Sequence, residues 1–233
     1  ANEIHGPSLT LNTACASGGD AITMASMMLD SGRADAMLAV GAESGIDPIL
    51  IQSLCSAQAL STNNDNPEAA CRPFDSDRDG FVFGEGAGAL LIETEEHAKA
   101  RGARIYGTLA GCGNNTDAYH TVTPRPDGDG EILCMKEAIQ MAGIAPSDIG
   151  YINAHGTSTV KGDIVETDAV KAVFAESAYD VAISSSKAAT GHMMGAGGIT
   201  EVITCIKVIE TGIIPPTLNL ENPDPKCDLN YIA

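Results

Sequence analysis

Tryptophan is absent from these 233 residues and phenylalanine occurs only four times. The interior must therefore be filled by small and branched aliphatic side chains. Basic residues are scarce as well: 13 Lys and Arg stand against 31 Asp and Glu, a formal charge of −18. Nucleic-acid backbones are bound through clustered cations, and no basic run occurs, so nucleic acid is excluded as a partner. No apolar stretch reaches the roughly 18 uninterrupted residues of a membrane helix. The first residues, Ala1-Asn2-Glu3-Ile4-His5, lack the basic and apolar segments of a secretory leader. The chain thus reads as cytoplasmic, without a membrane partner. The seven cysteines, at 15, 55, 71, 112, 134, 205 and 227, form no CxxC pair, which argues against a disulfide framework or a zinc cluster.

What the sequence does have is 25 glycines and 44% hydrophobic residues, a composition suited to tight turns and close backbone approach in a packed core. Short β-like runs alternate with amphipathic helical stretches and no low-complexity linker separates them, which predicts an α/β fold. Strands are expected at 8–13, 36–40, 87–93, 105–113, 149–153 and 181–184. Helices are expected at 18–29, 95–101, 131–142, 163–174 and 198–210, with glycines 32, 102, 143 and 212 as stops. A polar segment covers 61–80, and a glycine-rich turn surrounds His192. The stretches SLTLNTACASGGDAITMASMML and VAISSSKAATGHMMGAGGITEVITCI share one order of strand, small-residue turn and helix, which hints at internal duplication.

Three residues stand out chemically. Cys15 follows an apolar run and precedes Ala16-Ser17-Gly18-Gly19, which predicts a tight turn at a helix start. Backbone N–H groups and the helix dipole favour an anion there and would lower the thiol pKa. The local sequence leaves a second reading open, a small buried thiol beside glycines. His155 and His192 each come directly after a predicted strand and beside a glycine, where side chains project into the crevice that binds ligands in open α/β folds. Two such imidazoles can donate hydrogen bonds to one carbonyl oxygen and stabilise an enolate. His5, His97 and His120 have no such setting and read as structural.

Taken with TACASG around Cys15, ALSTNNDNPEAACRPFDSDRDGFVFGEGAG, DAYH, NAHGTSTVKGD, SSSKAATGHMMGAGG and IPPTLNLENPDPKCDLNY, the chain resembles the elongating class of bacterial type II fatty-acid ketosynthases, the KAS II family. The resemblance runs over nearly the whole length. It implies a thiolase-like, layered αβαβα fold, incomplete at both ends. Residues 1–102 would be the latter part of the N-terminal half, with the nucleophile. Residues 103–233 would be most of the C-terminal half, with both histidines.

The resemblance also implies roles. Cys15 takes the acyl chain as a thioester, and His155 and His192 bind the malonyl thioester carbonyl and promote loss of carbon dioxide. The resulting enolate attacks the acyl group, so the reaction is a decarboxylative Claisen condensation. Lys187 resembles the buried lysine of such a site, with Glu201 as its charge partner. Thr157 and Thr159 resemble hydroxyls that hold the phosphopantetheine arm of an acyl carrier protein, the implied partner. No organic cofactor of its own is implied. Asn153, Glu166 and Glu201 match positions that hold a structural Na+ or K+ in some members. A homodimer is implied through the strand at 8–13.

Two departures from the family pattern are present: Val160-Lys161 follows the GTST run in place of proline and a small or apolar residue, and Gln58 stands where many members carry a carrier-contacting arginine. The competing readings are a ketosynthase of polyketide assembly and a non-condensing partner subunit. NTACASG and SSKAATGH differ from the usual modular polyketide motifs, and Cys15 argues against the non-condensing subunit.

Overall fold

Asp47 and Pro48 show how local sequence sets an element in this chain. Asp47 Oδ1 accepts from the backbone N–H groups of Ile49 and Leu50 at 2.8 and 3.2 Å, and Pro48 occupies the first helical position, where its missing N–H costs nothing. The result is a helix at Pro48–Ser56 that the apolar periodicity does not predict. In this computed structural model residues 4–233 are described. The helices are α1 (Ser17–Asp30), α2 (Pro48–Ser56), α3 (Glu95–Ala100), α4 (Asp129–Ala142), α5 (Gly162–Phe174), α6 (Lys187–Thr190) and α7 (Met194–Thr211). The strands are β1 (Ala36–Glu43), β2 (Gly86–Glu93), β3 (Tyr151–Asn153) and β4 (Ala182–Ser184).

β1 and β2 pair antiparallel, in register from Ala36 opposite Glu93 to Glu43 opposite Gly86. β3 and β4 pair in parallel, Tyr151 opposite Ala182. Between the two sheets lie α1 and α7. Ile22 of α1, Ala39 of β1 and Ile199 of α7 form one buried cluster, and α7 also touches β3. Beyond the second sheet, Val170 and Phe174 of α5 join Ile183, Val181, Phe74 and Leu229 in the larger core, with α4 packed on α5. The order is sheet, helices, sheet, helices, which is four of the five layers expected. On the outer face of the first sheet, Leu38, Val40 and Leu91 are more than half exposed among the described residues.

The central contact is close because of glycine. A Cβ on Gly18 would lie 2.8 Å from Ile199 N, and one on Gly198 would lie 2.6 Å from Gly19 N. The two helices therefore meet backbone to backbone. This close packing also explains why α7 starts at Met194, four residues ahead of the expected 198: contacts at Gly195 and Gly198 outweigh the poor intrinsic helix propensity of glycine.

Three further expectations are corrected. Residues 8–13 form no strand, because a strand needs a ladder partner and none is present among the described residues. The same holds for 105–113, which cross α4 so closely that a Cβ on Gly111 would lie 2.2 Å from Ala138 O. The turn before His192 contains the short helix α6. No helix among the described residues is long and apolar enough to cross a membrane.

Candidate active site

Cys15 is presented by a tight turn at Ala14–Ala16, immediately ahead of α1. Ser17 pins that turn: its Oγ accepts from Thr13 N at 2.9 Å and donates to Ala14 O at 2.7 Å. Ala14 is held at φ +52°, a left-handed conformation that a non-glycine residue adopts only under constraint. The half-buried thiol points at α7, with Sγ 2.9 Å from His192 Nε2 and 3.7 Å from Met194 Sδ.

His192 is delivered by Gly191, whose φ of +70° makes the turn out of α6. Its backbone is bracketed by residues 82–84: His192 N donates to Val82 O at 2.7 Å, and Gly84 N donates to His192 O at 3.0 Å. Phe81 meets the ring edge-on at a 5.2 Å centroid distance. His155 leaves the end of β3, and its backbone N–H and that of Gly156 donate to the two oxygens of Glu166 at 2.7 and 2.8 Å. The two imidazoles stand nearly perpendicular, 5.4 Å apart. One donor atom from each of Cys15, His155 and His192 falls within 4.8 Å of the others. His192 is buried, whereas His155 keeps part of its surface exposed.

Lys187, 2% exposed, sits at the start of α6 and pairs with Glu201 of α7. Its charge reaches all three reactive groups. Burial pushes His192 down to about 3, and Lys187 adds to the fall. His155 also lies well below its ordinary value: part of the residue reaches solvent, but the protein packed around the ring desolvates its charged form, and Lys187 and His192 add to the fall. Both rings are therefore neutral near pH 7 and free to act as N–H donors. The expected lowering of the Cys15 pKa is not found. Burial raises it above the ordinary thiol value, although Lys187 and a backbone hydrogen bond pull the other way. The helix start is present, but desolvation outweighs it.

The remaining residues singled out from the sequence are distributed as follows. Thr157 and Thr159 lie in the loop after β3, their hydroxyls 3.0 Å apart. Asn153 donates to Tyr151 Oη at 3.1 Å, while its own buried Oδ1 has no partner. Burial raises the Glu166 carboxyl against the pull of its two backbone N–H bonds. Gln58, Val160 and Lys161 are exposed. Among the other histidines, His97 Nδ1 lies 2.7 Å from Glu93, and His120 Nδ1 accepts from two backbone N–H groups of its own loop.

Sequence reasoning singled out neither Phe81, against His192, nor Met194, against the thiol. Both lie inside motifs already quoted, and only the fold shows which residues of a motif face the site.

Two family descriptions match the chain: Beta-ketoacyl synthase, N-terminal domain, over residues 1–98, and Beta-ketoacyl synthase, C-terminal domain, over 106–221. The chain is 46% identical over 230 residues to a 3-oxoacyl-[acyl-carrier-protein] synthase 2 of Coxiella burnetii, covering 99% of this chain and 56% of that one. It is 47% identical to the mitochondrial 3-oxoacyl-[acyl-carrier-protein] synthase of Arabidopsis thaliana, covering 98% of this chain and 50% of that one. The chain thus spans about half the length of these relatives. Among solved structures it resembles a type II polyketide ketosynthase in complex with its acyl-carrier protein, with a TM-score of 0.92 at 43% identity over 94% of this chain and 54% of that one. A beta-ketoacyl synthase from Burkholderia phymatum gives a TM-score of 0.89 at 40% identity, over 94% and 52% of the two chains.

Proposed function

Because the chain belongs to the beta-ketoacyl synthase family, we propose that it carries the condensing site of a fatty-acid 3-oxoacyl-(acyl carrier protein) synthase. The observation behind this reading is the convergence of Cys15, His155 and His192 within 4.8 Å. In the first half-reaction the sulfur of Cys15 attacks the carbonyl carbon of an acyl thioester. A new C–S bond forms, and the carrier arm leaves as a thiolate. It takes up the proton lost by Cys15, and His192 Nε2, 2.9 Å from the sulfur, steadies the Cys15 thiolate through its N–H. In the second, the carbonyl oxygen of a malonyl thioester accepts N–H bonds from His155 and His192. The bond to the malonyl carboxylate breaks, carbon dioxide leaves and the electron pair enters the enolate. The enolate carbon attacks the acyl carbon on Cys15. Collapse of the tetrahedral intermediate expels the thiolate, which takes a proton from solvent.

Thr157 and Thr159 hold the amides of the phosphopantetheine arm in this reading, and Lys187 with Glu201 fixes the charge balance. Residues 1–102 then supply the nucleophile and 103–233 both histidines, in a cytoplasmic homodimer served by acyl carrier protein. A Na+ or K+ fits the unpartnered Oδ1 of Asn153 and the buried carboxyl of Glu166. It fits Glu201 less well, since Lys187 already occupies that carboxylate. A polyketide ketosynthase is the second reading, favoured by the structural likeness to a type II polyketide enzyme.

The test uses the full-length protein with acyl and malonyl carrier proteins. Cys15→Ala is expected to abolish elongation yet release labelled carbon dioxide from malonyl carrier protein, because the histidine pair acts on malonate without the thiol. Elongation at the parental rate would remove Cys15 as nucleophile. Mass spectrometry of Cys15 after exposure to a panel of acyl carriers separates the two pathways: saturated chains support the fatty-acid reading, oxidised or branched chains the polyketide one.

A further inference from the structure

The loop carrying Thr157 and Thr159 does not hold its own shape. Ser158, fully buried between them, has φ +69°, a left-handed conformation that persists in serine only where the surroundings impose it. Part of that constraint comes from Arg72, whose backbone N–H donates to Ser158 Oγ at 3.0 Å. The residues that follow Ser158 are gripped by one guanidinium. Arg78, 4% exposed, donates through Nε to Thr159 O at 3.2 Å and through Nη2 to Val160 O at 2.8 Å. Its Nη1 donates to Asp75 O at 2.7 Å and to Asp224 Oδ2 at 2.8 Å. Asp163, in the first turn of α5, lies 3.4 Å from Nε. Every nitrogen of the fork has a partner, and two of those partners are carbonyls of the threonine loop.

We propose that Arg78 is a positioning residue that fixes the loop of Thr157 and Thr159 for the pantetheine arm. It sets how well thioester substrates bind, not how fast Cys15 reacts. This deepens the functional reading above and rests on its assignment of the two threonines to the arm. The chemistry requires arginine. A lysine in this place keeps the charge facing Asp163 and Asp224, but a single ammonium cannot span two successive carbonyls in the plane that the guanidinium holds. The loop would then relax away from the geometry at Ser158, and both hydroxyls would shift with it. The thiol, reached through α1 and α7, would not.

The experiment compares Arg78→Lys, Asp224→Asn and Thr159→Val with the parent in the full-length protein. Loss of a paired carbonyl hydrogen bond predicts for Arg78→Lys a rise in KM for malonyl carrier protein on the order of tenfold. Its kcat should stay within about threefold of the parent, because only interactions specific to the transition state change it. Alkylation of Cys15 by iodoacetamide, which needs no arm, should keep its parental rate. A parental KM in Arg78→Lys, or a fall in kcat at constant KM, overturns the proposal. If Arg78→Lys is recovered only as aggregate, Asp224→Asn carries the test: a KM raised about threefold supports the proposal, and a parental KM overturns it. Thr159→Val separates the two levels. Raised KM there with parental KM in Arg78→Lys removes Arg78 alone, whereas parental KM in both removes the assignment of the threonines to the arm.

Discussion

His192 Nε2 lies 2.9 Å from Cys15 Sγ across 177 positions of sequence, and the other ring nitrogen, Nδ1, is buried without a partner. A histidine so placed has one ring nitrogen facing the site, so Nε2 is the atom that serves both the sulfur and, in the proposed reaction, a thioester carbonyl. All variants named below are of the full-length protein.

His155→Ala and His192→Ala should each slow malonyl decarboxylation by roughly 10²- to 10³-fold, the usual loss for one donor to a developing oxyanion. Since both rings are held neutral well below their ordinary value, the parental rate should not fall between pH 7.5 and 6.5 through protonation of either. Labelled carbon dioxide release across that range checks both statements, and an acid limb centred near 6.5 that either variant abolishes would contradict the second.

Lys187→Met should cost about 3–5 kcal/mol of stability, because it strands the largely buried Glu201. It also removes the charge that opposes the rise in the Cys15 pKa. The pH dependence of iodoacetamide alkylation should therefore move to higher pH than in the parent. Melting temperatures and alkylation rates report the two effects separately.

Glu131 Oε2 is buried without a partner, and burial, with Glu166 and Asp117 adding, pushes its carboxyl up to about 8. A carboxyl with a raised folded pKa favours folding at low pH and loses that contribution as pH rises from its unfolded value toward 8. Glu131→Gln removes the dependence. It should stabilise the protein by roughly 3 kcal/mol at pH 7 and by little at pH 4.5. Denaturant unfolding at both values measures the difference.

Gly18→Val should destabilise by about 1–3 kcal/mol through overpacking, because even a Cβ at this position would lie 2.8 Å from Ile199 N. The displacement of α7 from α1 should also lower the yield of acyl-Cys15. Calorimetry and acyl trapping give the two readouts.

The parts of this architecture that could be read in the sequence are those governed by local rules. α5 follows from its apolar spacing, and α4 ends at Gly143 because the chain takes φ +67° there, as a glycine C-cap allows. Cys15 and His155 are legible through their position after apolar runs, and His192 through its glycine-flanked turn, although α6 rather than a strand end delivers it. What could not be read depends on distant partners. Residues 8–13 and 105–113 have the alternation of strands, yet a ladder needs a neighbour that alternation does not supply. The Cys15 pKa has the opposite sign to the expectation because the helix start is local, while the packing of α7 over the thiol comes from residues almost 200 positions away. α2 has its start marked by Asp47-Pro48 but carries no clear apolar stripe along its length.

The backbone contact between Gly18 and Gly198 has a consequence for biosynthesis. A ribosome delivers Cys15 long before His192 and Lys187 exist, so for most of synthesis the thiol has neither its imidazole neighbour nor its nearby cation. Only when α7 docks on α1, with no side chain between them at this point, are the three brought together. Docking of α7 on α1 is thus the step that completes the surroundings of Cys15, and before it the thiol lacks its contacts with His192 and Met194.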